Sequence, residues 1–227
     1  MEIFLCVSRI GLNRMKNPKI DAIVFDIGKV IVDFDLNRPL QALASRTCLG
    51  IPEMKKKLLQ SSLPLLLETG KLSVEEFCAG VRDLLELRME PMDLVPAWAT
   101  FFPDSLILDE SFFAPFCRHY HMMILSNTSA MHIRFLRERF RVLDLFRTCI
   151  FSFETGTMKP EEAIYRSVEA RAGCAPAKIL FIDDIPDHIQ TARNLGWNSL
   201  LFTGRESLES QFREMGIIDG PTRTTKE

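Results

Sequence analysis

The sequence predicts an α/β protein: a doubly wound parallel sheet with an all-helical unit inserted after its first strand. Three observations carry this. Short apolar runs at residues 20–25, 121–125, 148–153, 178–182 and 198–202 read as buried strands. From the second run onward they alternate with helical patterns, as in βαβ units. Between the first and second runs, residues 36–103 carry helical periodicity and no strand pattern.

Composition permits such a fold. A chain of 227 residues, 47% hydrophobic, can fill one large core beside a small insert. That content excludes a disordered chain. The formal net charge is -2 with the signs mixed along the sequence, so neither nucleic acid nor a membrane surface is expected as a partner. Cys6, Cys48, Cys78, Cys117, Cys149 and Cys174 are scattered, with no CxxC pair and no clustered histidines. Neither a disulfide framework nor a zinc site is expected, and free thiols suit the reducing cytoplasm. No run approaches the roughly 18 apolar residues of a membrane span. The first fourteen residues lack the basic start of a signal peptide. Residues 1–18 are read as an N-terminal extension, with Met15 a natural start shortly before the first strand.

The first strand ends at Asp26, followed by Ile27, Gly28 and a second apolar run. Taken alone, Asp-x-Gly is an ordinary turn. Leu36, Leu40, Leu43 and Ala44 then mark a one-faced helix. Pro52 opens another, with Met54, Leu58 and Leu59 on its apolar side. Ser73 to Glu76 form a capping box ahead of Phe77, Val81, Leu84 and Leu85. Pro91, Pro96 and Pro103 punctuate the exit. A short helix is expected over 109–118 despite Pro115. Ser126-Asn127-Thr128 ends the second strand, and residues 130–140 form a helix with Ile133 and Leu136 inward. Lys159-Pro160 introduces the next helix with Pro at its first position, and Gly173 stands just past its end. Asp183-Asp184 ends the fourth strand, Pro186 starts a helix and Gly196 ends it. Residues 19–35 and 104–216 are expected to form the core domain, 36–103 a helical domain, and 217–227 a polar, frayed tail.

Asp26, Ser126-Asn127, Lys159 and Asp183-Asp184 all fall at one edge of such a sheet, where α/β proteins bind ligands. Each alone has a plainer reading as a turn, a helix cap or a surface lysine. Together they describe something else. Adjacent carboxylates repel unless a cation offsets them, and a third carboxylate makes an oxygen-rich site for Mg2+. Lys159, the Ser126 hydroxyl and the amides of the helix that follows suit an anion. This is the inventory of a phosphoryl-transfer site with an aspartate nucleophile.

On these residues the chain resembles the haloacid dehalogenase-like hydrolase superfamily from about residue 20 to 204. The family's signatures stand here as VFDIGKVIVD, MILSNT, MKPEEAIY and FIDDIPDHIQTARNLGW. The helical insert is similar to the small cap of subfamily I. The D-x-G form of the first signature is similar to a branch that includes phosphatases of sugar phosphates such as glucose 1-phosphate. The resemblance implies that Asp26 attacks phosphorus, forming an aspartyl-phosphate that water hydrolyses. It implies Mg2+ held by Asp26, the Gly28 backbone carbonyl and Asp183 or Asp184. Ser126 and Lys159 would hold the phosphoryl group, Asn127 would support its loop, and Asp187 would orient the metal site. Arg38 and Glu68, near the ends of cap helices, are candidates to face the substrate.

The resemblance has departures. Most phosphatases of the superfamily carry Asp, their general acid, where this chain has Gly28; such assistance is worth about 10²–10⁴-fold. Asp33 and Asp35 are near in sequence only, and Lys29 stands where asparagine or glycine is frequent. The expected activity is Mg2+-dependent hydrolysis of a small phosphorylated metabolite, a sugar phosphate being the first candidate. The competing readings are a regulatory or binding protein on a weakened scaffold and a metal-independent 2-haloacid dehalogenase. Monomer and homodimer are both compatible with the sequence.

Overall fold

Alternation within the first apolar run decides the layering. The computed structural model of the chain describes residues 19–218. In β1 (Ala22–Phe25), Ala22 and Val24 point to one face and Ile23 and Phe25 to the other, and all are buried. Around it β2 (His121–Ser126), β3 (Thr148–Phe151), β4 (Ile179–Asp183) and β5 (Asn198–Leu201) pair in parallel, in the order β3-β2-β1-β4-β5. Phe25 lies opposite Ile124 of β2 and Ile182 of β4. That register brings Asp26, Ser126 and Asp183 to one carboxyl edge.

Between β1 and β2 run α1 (Asn37–Leu43), α2 (Ile51–Gln60), α3 (Leu63–Glu68), α4 (Val74–Leu84), α5 (Leu94–Ala99) and the short α6 (Glu110–Phe113). Helix α7 (Ala130–Arg139) follows β2, and α8 (Ser152–Thr155) and α9 (Glu162–Ala172) follow β3. Helix α10 (Pro186–Asn194) follows β4, and α11 (Arg205–Glu214) follows β5. Among the described residues no helix is long and apolar enough to cross a membrane. The described cysteines are free.

Each sheet face has its own core. On one, the Phe25 ring is surrounded edge-on by Phe112, Phe113, Phe146 and Phe212, with centroids 5.2–6.4 Å away. On the other, Val24, Met123 and Phe181 pack against Tyr165 and Val168 of α9 and Ile189 of α10. Helices α1 to α5 bury a third cluster, including Leu40, Met54, Leu58, Phe77, Val81 and Trp98. The α4 capping box forms: Ser73 Oγ accepts from Glu76 N at 3.1 Å, and Ser73 N donates to Glu76 Oε2 at 2.8 Å. Helix α7 joins the clusters, sending Met131 among the helices and Ile133 and Leu136 into the sheet core.

Several expectations are corrected. Leu59 is 63% exposed, because Met54 and Leu58 share the inner stripe of α2 and the next residue is turned about 100° away. β3 stops at Phe151, since Ser152 opens α8 and ties its hydroxyl to the Thr128 backbone. Residues 109–118 yield only the four residues of α6, capped by Asp109, before Pro115. Pro160 is not the first residue of α9. A turn closed by Glu161 N to Met158 O (2.7 Å) precedes the helix, which begins at Glu162. Helix α11 was not anticipated, and the core continues past residue 216, because Ile217 is fully buried beside Phe212. The reading of residues 1–18 and most of the polar tail lies outside the described residues.

Candidate active site

Asp26 stands one residue beyond β1, and its N–H extends the ladder to Ile182 O at 2.9 Å. It is 7% exposed. Its Oδ1 accepts from Ile27 N at 2.7 Å and lies 3.0 Å from Lys159 Nζ. The same ammonium is 2.6 Å from Asp183 Oδ2, so one buried lysine bridges two strand-end carboxylates. It also lies 5.6 Å from the centre of the Phe181 ring.

Asn127 fixes that lysine. Its Nδ2 donates to Lys159 O at 2.9 Å, and Lys159 N donates to its Oδ1 at 2.8 Å. Both ends of the Asn127 carboxamide are thus engaged by the Lys159 backbone. Ser126 is buried at the end of β2. Helix α7 is capped by Ser129, whose hydroxyl accepts from His132 N at 3.2 Å.

The two adjacent aspartates have different surroundings. Asp183 is fully buried and accepts from Lys159, from Ile185 N at 2.8 Å and from His188 Nδ1 at 3.0 Å. Burial opposes its ionisation, but Lys159 and His188 outweigh that and hold its carboxyl below the usual range. Asp184 is half-buried, and its pKa is raised by burial and by the charge of Asp183. Burial likewise pushes Asp26 up to about 6 against the pull of Lys159. One oxygen each from Asp26, Asp183 and Asp184 can be chosen so that all lie within 4.8 Å of one another.

The other anticipated residues are placed as follows. A Cβ on Gly28 would stand 2.9 Å from Phe34 Cε1. Lys29 adopts φ +58°, a left-handed conformation that suits asparagine or glycine better. Its ammonium pairs with Asp33 and donates to Phe34 O at 3.0 Å. Asp35 accepts from the backbone and side-chain nitrogens of Asn37, both at 2.8 Å. Asp187 is exposed on the first turn of α10, and the neighbour His188, which the sequence reading missed, makes the contact with Asp183. The signal for His188 was its place one turn into a helix that begins just after the Asp pair. Arg38 is half-buried in α1, where its N–H donates to Asp35 O at 3.2 Å. Glu68 ends α3, and burial raises its pKa to about 7, with the charge of Asp26 adding to the shift.

The five-stranded fold is that of haloacid dehalogenase-family enzymes, and the carboxylate cluster lies at its carboxyl edge. No family model matches the chain. It is 28% identical over 183 residues to D-ribitol-5-phosphate phosphatase of Bacteroides thetaiotaomicron, covering 78% of this chain and 89% of that one. The fold is that of a HAD family enzyme of the same organism, solved in complex with magnesium and inorganic phosphate. The TM-score is 0.72 and the identity 24%, over 86% of this chain and all of that one. A predicted HAD-like family hydrolase of Porphyromonas gingivalis matches with TM-score 0.71 and 25% identity, over 87% and 98% of the two chains.

Proposed function

We propose that the chain is a Mg2+-dependent phosphatase that hydrolyses a small phosphomonoester, a sugar or polyol phosphate, through an aspartyl-phosphate on Asp26. The observation that carries this is the cluster of buried Asp26, Asp183 and Lys159 with half-buried Asp184 at the carboxyl edge. The similarity to a ribitol phosphate phosphatase supports the substrate class.

The residues fit a hard divalent cation. Three carboxylates share one lysine, and the two with raised pKa values, Asp26 and Asp184, have the less compensated charge. Oxygen donors alone suit Mg2+. Asp26, Asp184 and the Gly28 carbonyl are assigned as its direct ligands, and Asp183, already engaged by Lys159, His188 and the Ile185 amide, as the group that orders them. Bound Mg2+ supplies positive charge that offsets repulsion between a carboxylate and a phosphate.

The chain's own residues do the rest. An Asp26 oxygen attacks phosphorus and displaces the alcohol oxygen; water then attacks the acyl phosphate and regenerates the carboxylate. Lys159 keeps Asp26 ionised and, with Ser126, holds the phosphoryl oxygens. Asn127 holds Lys159 at that position. The helices α1 to α5 form the cap that shields the site, with the boundary near residue 103 and the core reaching Ile217. Free thiols at the described cysteines support a cytoplasmic setting.

The test is phosphate release from sugar phosphates, polyol phosphates and nucleotides, with Mg2+ and with EDTA. Turnover that requires Mg2+ and disappears in Asp26→Asn is expected. EDTA-insensitive halide release from a 2-haloacid would replace this reading with the dehalogenase. Binding of Mg2+ and phosphate without turnover of any substrate would replace it with the regulatory protein.

A further inference from the structure

Alcohols are poor leaving groups, and a phosphatase of the kind proposed gains from a group that protonates the departing oxygen. Gly28 has no side chain to do so, and the space beside it is filled. The Phe34 ring that a Cβ would meet is stacked on Phe101 at 5.0 Å and 9°, and Phe101 is stacked on His132 at 5.0 Å and 3°. Three stacked rings therefore hold Phe34 in place. Asp33 and Asp35, the other acids nearby in sequence, are engaged by Lys29 and Asn37.

The end of α3 carries a carboxyl near enough to Asp26 to feel its charge. Glu68 is the last residue of α3 and is followed by Thr69, buried, whose hydroxyl donates to Leu65 O at 2.8 Å. Gly70 comes next at φ +67°, so close to α8 that a Cβ would collide with the Phe153 carbonyl oxygen. That approach of backbone to backbone clamps the end of α3 onto the carboxyl edge of the sheet. Ser152, beside Phe153, bonds the Thr128 backbone through both its donor and acceptor capacity, at 3.0 and 2.9 Å, and Thr128 is two residues from Ser126. Glu68 is thus anchored through α8 to the phosphate loop. Among the described residues its carboxyl has no hydrogen bond or ion pair. Burial, and then the charge of Asp26, hold it protonated up to about pH 7.

We propose that Glu68 is the general acid–base of this site, acting from the helical insert in place of the group missing at Gly28. This deepens the phosphatase reading and rests on it. As the Asp26 oxygen bonds to phosphorus, the bond from phosphorus to the alcohol oxygen breaks. The electron pair stays on that oxygen, and the Glu68 proton neutralises it. The Glu68 carboxylate then takes a proton from water as the water oxygen attacks phosphorus and the bond to Asp26 breaks. Inorganic phosphate leaves, and both side chains return to their starting states.

The full chain and Glu68→Gln are compared with Mg2+ on p-nitrophenyl phosphate and on a panel of alkyl phosphates. Nitrophenolate leaves without help, so Glu68→Gln is expected to release a burst of about one nitrophenolate per enzyme near the wild-type rate. Steady turnover then falls by about 10²-fold or more, because water lacks its base. With alkyl phosphates the first step is lost too. The burst itself counts correctly folded sites, and Glu68→Asp is expected to recover part of the steady rate. Equal slowing of burst and steady state on aryl and alkyl substrates would make Glu68 structural and overturn the proposal. So would turnover within about threefold of wild type on both. Wild-type protein that releases no phosphate from any of these substrates would instead overturn the phosphatase reading itself.

Discussion

Asn127 and Lys159 exchange two hydrogen bonds across 32 residues of sequence: carboxamide nitrogen to Lys159 carbonyl at 2.9 Å, and Lys159 amide to carboxamide oxygen at 2.8 Å. The side chain at the end of one strand therefore sets the backbone that carries the site's lysine. Asn127→Ala leaves a carbonyl and an amide without these partners. A stability loss of about 1–3 kcal/mol is expected in urea unfolding. Turnover should fall further than stability explains, because the ammonium is no longer positioned for the phosphoryl group.

Lys159→Ala removes the shared cation from Asp26 and Asp183, both buried. Breaking a buried pair from one side costs about 3–5 kcal/mol. Thermal melts should show that loss without metal and a smaller one in excess Mg2+, which binds only the folded site. Activity is expected to fall by about 10²–10³-fold even with Mg2+ present. A variant as stable as wild type in EDTA would contradict the bridging role.

Gly28→Asp would restore the residue common in related phosphatases, yet it is expected to gain no turnover. The new side chain meets Phe34, which the Phe101 and His132 stack keeps from moving aside. Overpacking of this kind costs about 1–3 kcal/mol. Chemical denaturation of Gly28→Asp beside Gly28→Asp/Phe34→Ala checks this, the second variant recovering what the clash costs.

His132 makes stability depend on pH. It lies buried where the helical insert meets the sheet, accepting from Trp98 Nε1 at 3.2 Å. Burial lowers its pKa from 6.5 to about 4. The unfolded chain therefore binds a proton that the folded chain refuses between those values. This contribution is present above about pH 6.5 and is lost as the pH falls towards 4, on the order of 3 kcal/mol in all. Comparing the pH dependence of unfolding in wild type and His132→Phe isolates it; identical slopes over that window would rule it out.

The elements were legible in the sequence because their signals are local. Alternating and continuous apolar runs specify strands, and the Ser73–Glu76 box marks where α4 begins. Strand ends specify which polar groups share the carboxyl edge, since a parallel sheet puts them all on one side. The boundaries that failed, at Phe151 and Pro160, were decided by distant partners: Ser152 bonds Thr128, and Asn127 clamps Lys159.

The sequence by itself determined the class of fold, the helical insert, and the set Asp26, Ser126, Lys159 and Asp183-Asp184. Tertiary structure decided how these are paired. It engaged Asp183 with Lys159 and His188, leaving Asp184 the more open of the pair. It filled the space beside Gly28 with Phe34, and it anchored Glu68 through Gly70 and Phe153. These are packing relations between residues far apart in the chain, which no periodicity records. They follow only when the cores close and fix which side chains remain free.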